Sequence, residues 1–190
     1  MTERIRRSVS ESLRLKESFF ADSEEKILAV AREICRTLDN DNKVLLFGNG
    51  GSAADAQHIA AEWVGRFSHE RRPLAAIALT TDSSILTALG NDYGYEQVFA
   101  RQIRALGRPG DLSIAFSTSG NSPNVCLATT VAREMGLVTV GLTGGNGGKL
   151  GASVQYHLNV PHSHSARVQE VHIMVGHILC ELVDDGLKGL

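Results

Sequence analysis

The sequence predicts an α/β protein built as one domain on a single parallel sheet, and three observations carry that expectation. Five short apolar runs, at residues 44–47, 75–79, 112–116, 138–142 and 156–160, are separated mostly by longer stretches with helical periodicity, the alternation that winds helices around parallel strands. The first and third runs each end in a turn rich in glycine or serine that leads into a helical pattern. No linker interrupts the chain, and 190 residues are enough to bury a substantial core, so one domain over 1–190 is the simplest organisation.

The elements follow in order. Ile5, Val9 and Leu13 recur at one-turn spacing and mark an N-terminal amphipathic helix. Ile27, Leu28, Ala31, Ile34, Cys35 and Leu38 mark a second, with Asp22 and Glu25 spaced as a capping box before it. Residues 1–40 are therefore a helical segment that packs on the core. Residues 44–47 read as a buried strand, Gly48, Gly50 and Gly51 allow a tight turn, and Ser52 opens a helix whose free N–H groups favour a phosphate. That helix carries His58 and, one turn on, Glu62 on the same face. Asn91-Asp92-Tyr93-Gly94 reads as a turn.

After residues 112–116 come Ser117-Thr118-Ser119-Gly120-Asn121-Ser122-Pro123-Asn124, in which Ser122 is placed as an N-cap and Pro123 suits the first helical position. Gly145-Asn146-Gly147-Gly148 repeats the letters of the first loop without an acid/base pair after it and reads as a connection. Residues 165–187 form a long closing helix with Val168, Val171, Met174, Val175, Ile178, Leu179 and Leu182 as its apolar stripe. The stripes at 5–13 and 168–182 exceed what one small sheet needs for cover, which points to burial between subunits.

Four hydroxyls around a helix start suit a phosphate monoester held by hydrogen bonds and the helix dipole. A nucleotide triphosphate loop would need Gly-Lys-Ser/Thr, which is absent. Gly48-x-Gly50-x-x-Ala53 formally fits a dinucleotide fingerprint, but the acidic residue expected about 20 positions on has no counterpart at the end of the second strand, so no nucleotide cofactor is expected. A formal charge of −2 gives no general attraction to nucleic acid or anionic membrane, and Arg4, Arg6 and Arg7 are interleaved with Glu3 and Glu11.

Cys35, Cys126 and Cys180 lie far apart, suggesting buried thiols in a reducing cytosol rather than a disulfide or a metal knuckle. No apolar run approaches a membrane span. The first residues lack a signal-peptide core, and three glutamates among the first seventeen oppose a transit peptide, so a cytoplasmic protein is expected. Glu62, on a helix beside a phosphate cradle, is the candidate general base. By spacing, His177 shares a broad face with Gln169, His172 lies behind Gln169 and reads as packing or interface, and His162 and His164 sit in a loop beside Pro161.

Taken together and in order, GNGGSAADAQHIAAEWVGRF, GNDYG, FSTSGNSPN, LTGGNGGKL and VPHSHSARVQEVHIMVGHIL resemble the sugar isomerase (SIS) family, and within it the bacterial phosphoheptose isomerases, over nearly the whole chain. The resemblance implies a five-stranded sheet in flavodoxin-like order. It implies an aldose/ketose isomerase that converts sedoheptulose 7-phosphate to D-glycero-D-manno-heptose 7-phosphate through an enediol, the first step of ADP- or GDP-heptose synthesis for lipopolysaccharide or other surface polysaccharide. Glu62 and His177 would be catalytic. Asn49, Gly50, Gly51, Ser52, Glu62, Asn91, Asp92, Ser117, Thr118, Ser119, Ser122 and Gln169 would bind substrate. His58, Glu62, Gln169 and His177 would bind one zinc ion per subunit, in a homotetramer whose active sites lie at subunit junctions, with residues 1–40 packing also on neighbouring subunits. The competing expectation is a non-catalytic SIS protein that binds a partner such as the bacterial replication initiator; such relatives lack the glutamate and histidine pair.

Overall fold

The computed structural model describes residues 1–187, so the last three residues of the expected domain lie outside the described residues. A helix α1 (Thr2–Asp39) precedes β1 (Val44–Gly48), α2 (Gly51–Val64) and β2 (Ala76–Ala78). Then come α3 (Ser83–Tyr93), a 3-10 turn (Tyr95–Gln97), α4 (Val98–Leu106), β3 (Leu112–Ser117), α5 (Pro123–Glu134) and β4 (Val138–Gly144). The chain continues through α6 (Gly148–Ser153) and β5 (Tyr156–Val160) into α7 (Ser165–Gly186). All five strands pair in parallel in the order β2-β1-β3-β4-β5, as the resemblance implied.

Alternate residues of β1 serve opposite faces of the sheet. Val44 and Leu46 join a core with α1, α2 and α7, while Leu45 and Phe47 join a second core with α4, α5 and Leu150 of α6. Burial on both faces is why every β1 position is apolar or glycine and none alternates with a polar residue.

The N-terminal region differs from expectation. Residues 2–39 form one helix, not two, and Asp22 and Glu25 lie exposed in its middle. No glycine or proline interrupts this stretch, so the capping-box spacing has no chain break to cap. From Phe19 onward one face is buried through Ile27, Val30, Ala31, Ile34 and Leu38. Ile5, Val9 and Leu13 instead remain 65, 53 and 56% exposed. Asn91 and Asp92, read as a turn, form the last turn of α3, which ends at Gly94 with φ of 83°.

The order reversal between β1 and β3 sends one connection to each side of the sheet and opens a crevice beyond their C-terminal ends. Gly48 lies directly opposite Phe116, so the two glycine- and serine-containing loops emerge side by side. The turn at residues 145–148 braces the second of them. Gly120 has φ of 64°, a Cβ there would fall 2.1 Å from the Gly147 carbonyl oxygen, and its own oxygen accepts from the Leu150 N–H at 2.9 Å.

His172 is 1% exposed, and its Nε2 donates to the Thr143 carbonyl oxygen at 3.0 Å, joining α7 to the end of β4. Burial lowers its pKa to about 4, partly countered by the Thr143 bond. The folded protein therefore resists a proton that the unfolded chain accepts. The stability this depression confers is complete above the unfolded pKa near 6.5 and is lost as pH falls from there toward 4. Urea denaturation should show a loss on the order of 2–3 kcal/mol across that window, and His172→Gln should flatten that part of the profile. An equal slope in the variant would assign the effect to other groups.

Candidate active site

The first loop delivers α2 into the crevice. Gly50 adopts φ of 56°, and Ser52, the expected opening residue, lies in the first turn with its side chain buried. At Gly51 this helix start comes close to α7. A Cβ there would sit 2.6 Å from Gln169 Nε2, so the Gln169 side chain lies across the start of α2 because position 51 has none.

The second loop is tied together by its own hydroxyls. Ser117 and Ser122 share a hydrogen bond of 3.1 Å, Ser119 Oγ accepts from the Asn121 N–H at 3.1 Å, and Thr118 donates to Ser165 at the start of α7 at 3.3 Å. Ser122 occupies the N-cap position and Pro123 the first turn of α5, but the Ser122 hydroxyl makes no capping bond. Asn124 performs a task the sequence reading did not assign. Its buried side chain accepts from Asn49 Nδ2 at 2.9 Å and donates to Asn49 Oδ1 at 2.9 Å, a reciprocal amide pair joining the two loops. Its Oδ1 also accepts from the Val125 N–H at 3.0 Å, and Tyr95 donates to Asn49 Oδ1 at 3.4 Å.

His58 and Glu62 on α2 meet His177 on α7. The two Nε2 atoms of His58 and His177 are 2.9 Å apart, and His58 Nε2 lies 3.4 Å from Glu62 Oε1. Which of the two ring nitrogens donates and which accepts across this contact is set by their tautomers. Phe67, just beyond α2, stacks on the His177 ring with centroids 5.8 Å apart and planes at 26°. The side chains remain open to a ligand, His58 being 50% and Glu62 27% exposed.

Asp55, one turn before His58, is a second residue the sequence reading passed over. Its Oδ2 is buried without a partner, and burial raises its pKa to about 6 against the opposing pull of His58. Its spacing of three from His58 was the signal available. Asn91 and Asp92 are exposed and bond to each other, Asn91 donating at 2.8 Å. In the loop before α7, the His164 N–H donates to His162 Nδ1, and His162 Nε2 lies 3.4 Å from Glu11.

Two imidazoles, a carboxylate and an amide oxygen form a donor set zinc accepts. His58, Glu62 and His177 already converge, and Gln169 lies on the same pair of helices. As placed they pair with one another, and among the described residues no three His, Cys, Asp or Glu side chains are spread as a metal cage.

The SIS domain model matches residues 9–144. The phosphoheptose isomerase of Nitratidesulfovibrio vulgaris, strain Miyazaki F, is 53% identical over 188 residues, covering 97% of this chain and 90% of that protein. That of Aquifex aeolicus is 54% identical over 185 residues and 97% of each chain. The structure of phosphoheptose isomerase from Neisseria gonorrhoeae superposes with a TM-score of 0.92 at 46% identity, over 97% of this chain and 98% of that one.

The Asn49–Asn124 pair yields a test independent of activity. Asn124→Ala strands a partly buried amide and should lower the unfolding free energy by about 1–3 kcal/mol. Combining it with Asn49→Ala should cost less than the sum of the two single losses, measured by urea denaturation. Simple additivity would mean the two side chains do not interact.

Proposed function

The chain belongs to the SIS domain family and, within it, to the phosphoheptose isomerases, and from that premise we propose that it interconverts sedoheptulose 7-phosphate and D-glycero-D-manno-heptose 7-phosphate. The observation that supports the chemical assignment is that Glu62 and His177, from two helices, both meet His58 beside the two glycine- and serine-containing loops.

In the forward direction the base takes a proton from C1 of the ketose, leaving an enediol, and the proton is returned to C2 to give the aldose. Glu62 is the base, because a carboxylate on a rigid helix can face both adjacent carbons in turn. His177, its ring set by Phe67 and His58, handles protons on the oxygens or during ring opening. Ser117, Thr118, Ser119 and Ser122, with the backbone at Asn49, Gly50, Gly51 and Ser52, receive the phosphate. Gln169, Asn91 and Asp92 bind sugar hydroxyls. His58, Glu62, Gln169 and His177 would hold a zinc ion, whose bound chemistry would be polarisation of a substrate oxygen.

A homotetramer with its sites at subunit junctions fits two observations: the open faces of His58 and Glu62, and the uncovered Ile5, Val9 and Leu13 on the first turns of α1. No described helix is long and apolar enough to cross a membrane. A cytoplasmic location and the absence of a nucleic-acid partner accord with the three free thiols and the slight negative charge. Retention of both Glu62 and His177 argues against a purely partner-binding role.

Glu62→Gln preserves shape and removes the base, so substrate should still bind while turnover falls by about 10² to 10⁴-fold. Incubation of the parent enzyme with sedoheptulose 7-phosphate in heavy water, followed by NMR, should place deuterium at the exchanging carbon. Near-normal turnover in Glu62→Gln would remove the assigned base.

The phosphate assignment has its own test. Ser119→Ala and Ser122→Ala should each weaken substrate binding by about 0.5–3 kcal/mol with the fold intact, and unphosphorylated sedoheptulose should react poorly because its remote binding energy is missing. Unchanged affinity in both variants would place the phosphate elsewhere.

A further inference from the structure

The segment between α2 and β2, residues 65–75, has no regular structure and reads in sequence as a charged loop, yet it makes one of the most heavily bonded side-chain clusters in the molecule. Arg71 is 10% exposed, and each of its guanidinium nitrogens is hydrogen-bonded. Nη2 donates to the Glu62 carbonyl oxygen at 3.0 Å and Nη1 to that of Trp63 at 2.9 Å, with further Nη1 contacts to Gly65 at 3.4 Å and Arg72 at 3.1 Å. Nε donates to Asp184 Oδ1 at 2.6 Å. The other oxygen of Asp184, whose side chain is 1% exposed, accepts from both the N–H and the hydroxyl of Ser68 at 3.1 Å.

Each bond falls at a mechanically informative place. The last carbonyls of a helix lack intrahelical partners and carry its negative end. Arg71 satisfies two of them, including that of Glu62. Asp184 lies seven residues beyond His177 on α7, two turns along nearly the same face. Phe67, in the same segment, stacks on the His177 ring. One short strap therefore grips the backbone of Glu62 at one end and the His177 face of α7 at the other.

We propose that Arg71 and Asp184 are positioning residues that set the separation and orientation of Glu62 and His177 by locking the C-terminal end of α2 to α7. The inference rests on the isomerase reading of the same site. A planar guanidinium is required because one group must serve two helix carbonyls and a carboxylate in fixed directions, which a single ammonium cannot do.

Arg71→Lys tests it, since the charge facing Asp184 is kept while the fork is lost. With folding verified by thermal melting, kcat for sedoheptulose 7-phosphate should fall at least about tenfold, as expected when reacting groups are displaced, while KM stays within about threefold because the phosphate loops are untouched. Added to Glu62→Gln, Arg71→Lys should lower the residual rate by clearly less than it lowers the parent's, because the Glu62 part of its effect is already gone and only the part through His177 is left.

The imidazole ¹⁵N resonances of His58 and His177, read without substrate, should shift in Arg71→Lys. A folded Arg71→Lys with kcat within about twofold of the parent, an equal loss in both backgrounds, or a loss confined to KM would overturn the proposal. Should Arg71→Lys fail to fold, Asp184→Asn, which keeps one acceptor oxygen for Arg71 and turns an NH2 toward Ser68, is read by the same criteria. If the parent itself does not isomerise the sugar phosphate, the isomerase reading fails, and unshifted His58 and His177 resonances then decide against the clamp on their own.

Discussion

The parallel pairing of β1 with β3 is the constraint on which the site depends. These strands are 68 residues apart at their paired starts, Val44 and Leu112, and their alignment puts Gly48 opposite Phe116. Two loops that are remote in sequence thereby leave the sheet next to each other, one opening α2 and the other α5. The Asn49–Asn124 amide pair closes the remaining gap with two hydrogen bonds, each worth on the order of 1 kcal/mol net. Their greater value is directional, since a reciprocal amide pair fixes both loop positions at once and prevents either from rotating independently. The 145–148 turn supports the second loop from behind by the same logic, its backbone packing where any side chain on Gly120 would have to go.

The contact between α2 and α7 converts that scaffold into a chemical site. At Gly51 the Gln169 side chain occupies the space of a Cβ, and at Gly176 a Cβ would lie 2.6 Å from Ile59 Cδ1. The two helices approach so closely because neither glycine contributes a side chain at those points. His58 and His177 consequently meet at 2.9 Å. Asp184 adds a charged anchor further along the same pair. Burial raises its pKa, but hydrogen bonds from Arg71 and Ser68 outweigh that effect and leave it lowered, so the anchor is ionised at neutral pH and weakens only in acid. An ion pair this dry owes its persistence to the saturation of both partners, with every guanidinium nitrogen and both carboxylate oxygens bonded.

Much of this was legible from local pattern, and the failures have identifiable physical causes. The strands emerged within a residue or two of the apolar runs because burial on both faces removes polar residues from them. The site loops were equally visible, since glycine and hydroxyl clusters after a strand have few other uses. The split in α1 was a false boundary: an acidic pair at capping spacing is also an ordinary solvated helix face, and only a chain break distinguishes the two. Asn124 was passed over because a single asparagine in a first helical turn carries no periodic signal. Arg71 and Asp184, 113 residues apart, leave no local trace at all; their link exists only once the sheet order has brought the two helices together.

The arrangement also suits the demands of an isomerase in a way that a loop-borne site would not. The base must address two neighbouring carbons of one substrate, so it needs a short, repeatable reach rather than a large excursion. A carboxylate on the last turns of a helix whose terminal carbonyls are held by Arg71 has that property, because its backbone cannot fray while the side chain retains its rotamers. His177, held by Phe67 on one side and His58 on the other, is similarly restricted in ring orientation. In the proposed function the phosphate goes elsewhere, to hydroxyls and backbone on the β1 and β3 loops, which assigns binding and proton transfer to different elements of the fold. That separation is what allows remote binding energy to orient the sugar against a rigid pair of groups, and it is why a strap that grips the ends of α2 and α7, away from the phosphate loops, can act on the proton-transfer geometry alone.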